Sequence, residues 1–419
     1  MGREHRNRPA RSVDVRLCGF SQRASAEEAV AWVDAHEALG SETIPPGDAC
    51  GRVLHAPVAA GGDLPASDRA AEDGYAVRAL ETIGAGPYSP IPLTIQTADA
   101  PLAASGAALI SAGAPLPSGA DAVLPFGAAH RVGAVVEAIA AVAEGAGVER
   151  RGRELRSRAR LLDGGQELRA QDVAILAALG VERVKVVRRP RVRIVVAGPK
   201  RCDELPRPDA DGPMVRALVA RDGGLPETTN LPAAGEVAGA IARSLLAPGA
   251  DAILVVGRTG TGADDEAPLA LAHAGELTIH GIMLRPGGST GAGHVESIPV
   301  VLLPGEPLAC LTAYELLAGR LVRRLGGRDP RLPHRVVQAE VRRKIVSAVG
   351  FVDVCQVRLL DGGVAPIGSA DDGGLASAVL ADGFVVIPAA LEGHAPGARV
   401  AVHLYGGARA QGEARESTE

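Results

Sequence analysis

The sequence predicts a multidomain chain of α/β plus β class: an α/β domain on a mostly parallel sheet, a small all-β insert ahead of it and a β-barrel-like domain behind it. Three observations carry this. From Arg191 to Leu325 short β-branched runs alternate with helical patterns, the order a parallel sheet covered by helices requires. Residues 80–144, and again those beyond residue 333, hold short alternating runs cut by Gly and Pro. At 419 residues the chain has room for two to four domains, each with its own core.

The bulk chemistry narrows the function. A net charge of -5 and a pI near 6.1 argue against a nucleic-acid binder, which needs a basic surface to neutralise phosphates. Four Phe, four Tyr and one Trp leave few platforms on which bases could stack. The five cysteines lie far apart with no CxxC or CxxH spacing, which supports neither a zinc site nor a disulfide framework and fits a reducing cytosol. The start, MGREHRNRPARSVDVRL, is basic without the apolar core of a signal peptide. The longest uncharged run, 100–120, contains Pro101, Pro115 and Pro117 and cannot be a continuous membrane helix.

In chain order, residues 1–20 are Arg-rich without an apolar period and read as a flexible tail. Ser25-Ala26-Glu27-Glu28 is a capping-box pattern; Ala29, Val30 and Val33 follow at helical spacing, with Gly40 closing the run. After the turn at 45–47, the carboxylates Asp63, Asp68, Glu72 and Asp73 crowd around Tyr75, either as turn caps or as handlers of a metal or phosphate ester. The proline-stiffened turn Gly113–Val123 holds Asp121 at a strand start. Six arginines between Arg150 and Arg160 are either a solvated face or a site for an anionic ligand or acidic partner. Ala170–Leu179 reads as a helix ended by Gly180, Val184–Val187 as a strand, Arg191–Ala197 as a buried strand, Pro213–Arg221 and Gly235–Leu246 as helices, and Leu308–Leu325 as the closing helix of the α/β domain. DPRLP at 329–333 is a linker by composition.

The stretch 251–307 concentrates the chemistry. Its apolar runs Ala252–Val256, Ile279–Leu284 and Val300–Leu303 each stop at a turn rich in Gly or Pro, as strands do where an α/β sheet presents ligand-binding loops. Gly257, Gly260 and Gly262 permit positive φ and close approach, so that backbone N–H groups can converge on an oxyanion. Thr259 and Thr261 add hydroxyls, Arg258 and Arg285 add positive charge, and Asp264 and Asp265 could hold a hard cation. Phosphate plus a divalent metal suits this set; ordinary βα turns are the plainer reading. No GxxxxGK[ST] is present, and GRTGTG is not GxGxxG.

The pieces CGRVLHAPV (50–58), LPASDRAAEDGYAVR (64–78), SAGAPLPSGADAV (111–123), RRGREL (150–155), DAILVVGRTGTG, RPGG (285–288) and LLPGEP (302–307) together resemble the MoeA/gephyrin E-domain family, the molybdopterin molybdotransferases, from about residue 22 to 405. The resemblance implies a tail over 1–20, a discontinuous N-terminal domain over 21–58 and 145–186, an inserted β domain over 59–144, a molybdopterin-binding α/β domain over 187–328, a C-terminal β-barrel over 329–407 and a second tail over 408–419, assembled as a cytoplasmic homodimer. It implies insertion of molybdate into adenylylated molybdopterin with release of AMP in the presence of Mg2+. The implied protein partners are a molybdopterin adenylyltransferase and a recipient molybdoenzyme.

Asp73 stands at the aspartate of the family's MDGYA, Asp251 at the aspartate before its GGVSVG, Asp265 at the second aspartate of GDYD and Glu204 at the glutamate of GDEL. Asp73, Asp251 and Arg285 are thereby the catalytic candidates. Gly257, Thr259, Gly260, Thr261 and Gly262 with Pro304 and Gly305 are candidates for holding the cofactor, and Asp264, Asp265 and Glu204 for holding the metal. Ala112 stands where the family's TGAPLP has threonine, and the family's KPGKP reads RPGGS, so Gly288 takes the place of the second lysine. Such a departure also suits a catalytically weakened relative that binds molybdopterin or the finished cofactor for delivery, or a dimeric scaffold.

Overall fold

The first helix starts where its capping box predicts. The Ser25 hydroxyl accepts the Glu28 N–H, the Glu28 carboxylate accepts the Ser25 N–H, and α1 runs over Ala26–Asp34 with Ala29 and Val33 buried. It stops at Asp34 rather than near Gly40, because the chain turns there to follow a later helix: Arg320 clasps Asp34, and the Leu39 N–H donates to the Leu325 carbonyl. The computed structural model describes residues 14–197, 208–232, 236–368 and 374–406. Its contacts divide the chain into one unit of residues 42–186 and another of residues 1–41 with 187–419.

Within 42–186 the Gly- and Pro-punctuated runs form β1 (Gly74–Val77), β2 (Ile91–Gln96), β3 (Gly106–Ile110), β4 (Ala122–Pro125), β5 (Ala129–Val132) and β6 (Val135–Ala138). They make one six-stranded sheet in the order β4-β1-β3-β2-β6-β5. Tyr75, Val77, Leu93, Leu124 and Val136 pack on one face and Ala76, Ala108, Ile110 and Val123 on the other, as strand alternation requires. The helix α2 (Ala170–Ala178) follows and ends beside Gly180, whose φ of 70° only glycine adopts readily.

The other unit holds the α/β sheet. Its elements are β7 (Arg191–Val196), α3 (Asp211–Arg221), β8 (Leu225–Asn230), α4 (Val237–Leu246), β9 (Ala252–Val256), α5 (Ala267–Ala274), β10 (Glu276–His280), β11 (Leu284–Arg285), β12 (Gly291–Val295) and β13 (Ile298–Leu303). The order is β8-β7-β9-β13-β12-β10, with the first four strands parallel and β12 and β10 antiparallel. Val192, Ile194 and Leu254 face α3 and the helix after β13, while Val195, Ile253 and Val255 face α4 and α5. Both faces are covered, so β9 is apolar at every position instead of alternating.

One predicted strand is two. Ile279–Leu284 breaks at Gly281, which has φ 81° and donates its N–H to the Thr290 carbonyl. β10 ends before the break, and β11 after it pairs with a different sheet. The tail expected through residue 20 is anchored from Leu17 onward, whose N–H donates to the Thr261 carbonyl; residues 1–13 and 407–419 lie outside the described residues.

The closing helix comprises α6 (Pro307–Ala313), a π turn over Tyr314–Ala318 and α7 (Gly319–Leu325). Then come β14 (Arg335–Glu340), β15 (Val352–Leu360), β16 (Gly363–Pro366), α8 (Leu375–Leu380), β17 (Gly383–Ile387) and β18 (Arg399–Leu404). Their sheet runs β11-β15-β17-β18-β14, with β16 on β15. Among the described residues no helix is long and apolar enough to cross a membrane.

Beneath α3 and the π turn lies a buried charge cluster. Asp222 accepts hydrogen bonds from Arg323 Nη1 (2.8 Å), Arg221 Nη2 (3.0 Å) and the Tyr314 hydroxyl (3.1 Å), and both Asp222 and Arg323 are almost wholly buried. Removing the acid strands a buried guanidinium. Asp222→Ala is expected to cost about 3–5 kcal/mol, read by urea or thermal unfolding; a loss under about 1 kcal/mol contradicts the reading.

Candidate functional site

In the α/β sheet the chain leaves β7 for β8 on one side and later for β9 on the other, so strand order reverses between β7 and β9. Ligands of such sheets bind outside the carboxyl ends of the strands at that reversal. A cavity of 680 Å³ lies there, lined by Val196 and Val256 at the strand ends, Asn230 ending β8, and Pro304 and Gly305 after β13. The size is that of a small-molecule site.

Its floor is backbone. Gly257 has φ 88°, and a Cβ on Gly305 would stand 3.0 Å from the Gly257 Cα, so the two loops meet without side chains. Arg258 also has a left-handed φ, 57°, and is buried, with Nε donating to the Ala197 carbonyl and Nη1 to the Asp264 carbonyl. Its guanidinium thus ties the loop to the end of β7. Thr259 is buried, its hydroxyl 3.1 Å from that of Ser289 and its carbonyl 2.9 Å from His280 Nε2. The Asp265 carboxylate is buried behind the loop and accepts the Gly262 N–H at 2.7 Å; it would also meet any Cβ on Gly260.

Of the predicted set, Gly257, Thr259, Gly260, Asp265, Pro304 and Gly305 come together on this cavity. Thr261, Gly262 and Asp264 belong to the loop but not to the lining. The Gly262 amide is committed to Asp265, so the loop does not offer an unbroken run of free N–H groups, and the Asp264 backbone carbonyl accepts from Arg258. Asp251 sits at the amino end of β9, roughly 20 Å along the strand from Gly257. There it takes both Arg188 guanidinium nitrogens, at 2.7 and 2.8 Å, and the Arg191 N–H. Burial works to raise its pKa, but Arg188 and the Arg191 amide together hold it below the usual carboxylate range.

Arg285 is turned to the C-terminal sheet, donating from Nε (2.8 Å) and Nη2 (2.6 Å) to the buried Asp353 and lying over the Phe351 ring. The positive charge expected of Arg285 at RPGG is thus shared with Asp353. Glu204 lies outside the described residues.

In the other unit Asp73 is exposed, and its Oδ1 accepts the Ala112 N–H at 2.8 Å. Neighbouring carboxylates pair with the arginine run: Arg150 with Asp68 at 2.8 Å, Arg151 with Asp63 at 2.5 Å. Arg160 pairs with Asp163 as well, so three of the six arginines are matched to carboxylates.

Three acids missed in the sequence line the cavity. Asp209 accepts the Asp211 and Gly212 N–H groups at the start of α3, and Glu306 accepts the Leu308 and Ala309 N–H groups at the start of α6. Asp211 Oδ1 is buried with no hydrogen-bond partner. Burial, then the charges of Asp209 and Glu306, push the Asp211 carboxyl up to about 7. The pattern Pro208-Asp209-Ala210-Asp211-Gly212-Pro213 was legible as a helix start, but nothing local said which carboxylate would face a cavity.

The donor set fits Mg2+ in one form only. Among the described residues no three His, Cys, Asp or Glu are grouped to enclose a metal, whereas an unsatisfied buried carboxylate oxygen beside two other acids suits an ion that keeps waters and shares ligand phosphate oxygens.

Comparison with known proteins is consistent along the chain. The MoeA N-terminal region (domain I and II) matches residues 24–180, the "Probable molybdopterin binding domain" residues 193–324, and the MoeA C-terminal region (domain IV) residues 338–405. Molybdopterin molybdenumtransferase 2 of Mycobacterium tuberculosis is 31% identical over 319 residues, covering 70% of this chain and 77% of its own. The molybdopterin molybdenumtransferase of Staphylococcus aureus is 24% identical over 365 residues, 82% and 86% of the two chains. A crystal structure of a molybdopterin biosynthesis MoeA protein from Pyrococcus horikoshii superposes with a TM-score of 0.73 at 28% identity, over 91% of this chain and 99% of that one.

The raised Asp211 pKa has a stability signature. Between the ordinary carboxylate range and pH 7 the folded chain keeps a proton that the unfolded chain has lost. This carboxyl therefore favours folding near pH 5, and that contribution disappears as pH rises through about 7. Asp211→Asn should gain melting temperature relative to wild type between pH 5 and 8; a difference that stays flat across that range excludes the shift.

Proposed function

The chain belongs to the MoeA family, and from that premise we propose that it is a molybdopterin molybdotransferase, inserting molybdate into adenylylated molybdopterin with release of AMP in molybdenum cofactor biosynthesis. The observation that carries this is the cavity at the strand reversal, with bare backbone at Gly257 and Gly305 below and Asp209, Asp211 and Glu306 beside it. Side-chain-free loops let a phosphorylated ligand approach main-chain dipoles, and adjacent acids suit a Mg2+-neutralised phosphate.

In this reading Gly257, Thr259, Gly260, Pro304 and Gly305 seat the pterin substrate. Thr261, Gly262 and Asp264 complete the loop, Asp265 pins it from the cavity wall, and Asp251 and Arg285 form structural ion pairs with Arg188 and Asp353. Asp211, with Asp209 or Glu306, would hold Mg2+, which supplies charge neutralisation at the phosphate oxygens when bound. The dithiolene of the substrate is the ligand of molybdenum, so the protein's share is positioning and electrostatics. Asp73 remains a catalytic candidate, being exposed with one backbone contact. The family's domain divisions, its homodimer and its cytoplasmic location belong to the same proposal, as does a C-terminal barrel, for which the Val341–Val364 bridge between the end of β14 and β16 is the support.

Purified protein given adenylylated molybdopterin, molybdate and Mg2+ should release AMP. Asp211→Ala should lower turnover about 100-fold, in the range for removing one electrostatic group. Asp73→Asn, which keeps an acceptor for the Ala112 N–H, should lower turnover at least about tenfold with an unchanged melting temperature. No AMP release at millimolar molybdate overturns the assignment.

A further inference from the structure

Among the described residues the cavity is short of positive charge for an anionic ligand. Asp209, Asp211, Asp265 and Glu306 line it, and Arg258 is the one basic side chain among the described lining residues. Arg258 is buried with its guanidinium on two carbonyls, and Arg285 is held by Asp353. A tetrahedral oxyanion placed there would face an acidic wall, and such a ligand needs converging cationic donors.

The segment ahead of α1 supplies one. The Leu17 N–H donates to the Thr261 carbonyl at 2.8 Å, and Phe20 packs edge-on against His280 at 4.9 Å, the histidine that contacts the Thr259 carbonyl. Ala24 forms a parallel bridge with Ile282, its N–H going to the Gly281 carbonyl and its carbonyl taking the Met283 N–H. Residues 17–24 are therefore strapped along the glycine loop and the turn after β10. At the end of this strap Arg23 stacks its guanidinium over the Phe20 ring at 4.8 Å. Its Nε lies 3.9 Å from where a Cβ on Gly288 would stand, and Gly288 lines the cavity. Arg23 is exposed and has no carboxylate partner among the described residues.

We propose that Arg23 is an oxyanion-binding residue at the mouth of this cavity, reaching it over the bare backbone of Gly288. A side chain at 288 would fill the space between the guanidinium and the cavity, so glycine there and arginine at 23 are complementary. Stacking on Phe20 limits the rotamers to be frozen on binding. The ligand is a tetrahedral oxyanion, either molybdate or the phosphoryl group of the pterin substrate.

The proposal rests on the transferase reading, and its test separates the two. With wild type releasing AMP, Arg23→Ala should raise the KM for one substrate about 10- to 100-fold, as loss of one charge-assisted contact does, with kcat changed less than about threefold. A rise in the molybdate KM identifies molybdate as the ligand, and a rise in the adenylylated-pterin KM identifies the phosphoryl group. Arg23→Lys should recover most of the loss. Arg23→Ala with Gly288→Lys should also recover it, because the new Cβ, 3.3 Å from the Leu284 carbonyl, starts an ammonium-bearing chain from the same corner. Unchanged KM values, or a fall in kcat alone, overturn the proposal. Failure of wild type to release AMP strikes the transferase reading only. Calorimetric titration of wild type and Arg23→Ala with molybdate and with inorganic phosphate then decides, equal affinities for both anions overturning the role of Arg23.

Discussion

Gly257 and Gly305 meet backbone against backbone, and the cavity exists because they do. β9 and β13 are adjacent parallel strands that end at the same level, with Val256 opposite Leu303, so the loops that follow, Gly257 and Pro304-Gly305, are brought together. Side chains at both positions would push the loops apart or fill the space between them. The left-handed Arg258 that follows is a sparsely populated conformation, held by its bonds to the Ala197 and Asp264 carbonyls. The loop is therefore stiff before any ligand arrives. Preorganised dipoles need no reorientation at the moment of reaction.

A second constraint is how charge is distributed around that floor. Several arginines of this unit are neutralised locally: Arg188 by Asp251, Arg285 by Asp353, Arg323 by Asp222, and Arg221 by Asp222 and Glu315. These pairs hold sheet, helices and C-terminal strands in register. Acids at two helix starts, Asp209 and Glu306, satisfy orphan amides and at the same time concentrate negative potential on Asp211. One arrangement thus caps α3 and α6 and raises the pKa of the carboxyl between them. It favours a ligand that arrives with a cation, and it gives an arginine at the rim a distinct part to play.

Much of the architecture was legible because its causes are local. The Ser25–Glu28 box, the β-branched runs of the α/β domain, Gly180 after α2 and the proline opening α6 act within a few residues, and helices and strands stand within a few residues of where these signals put them. Ile279–Leu284 failed for a non-local reason. Its apolar pattern is continuous, yet two different sheets claim its ends, and the break at Gly281 is where the chain passes between them.

The sequence by itself determined which loops are free of side chains and where they follow strands, since glycine's conformational freedom and β propensity are properties of short segments. Only the tertiary structure decided which charges those loops see. Arg285 meets its partner 68 residues away and Asp251 its partner 63 residues away, while Arg23 stands beside Gly288 from near the other end of the chain. Whether a carboxylate caps, pairs or faces a ligand depends on what lies within a few ångströms of it, and for a charge that neighbourhood is set by packing between distant segments.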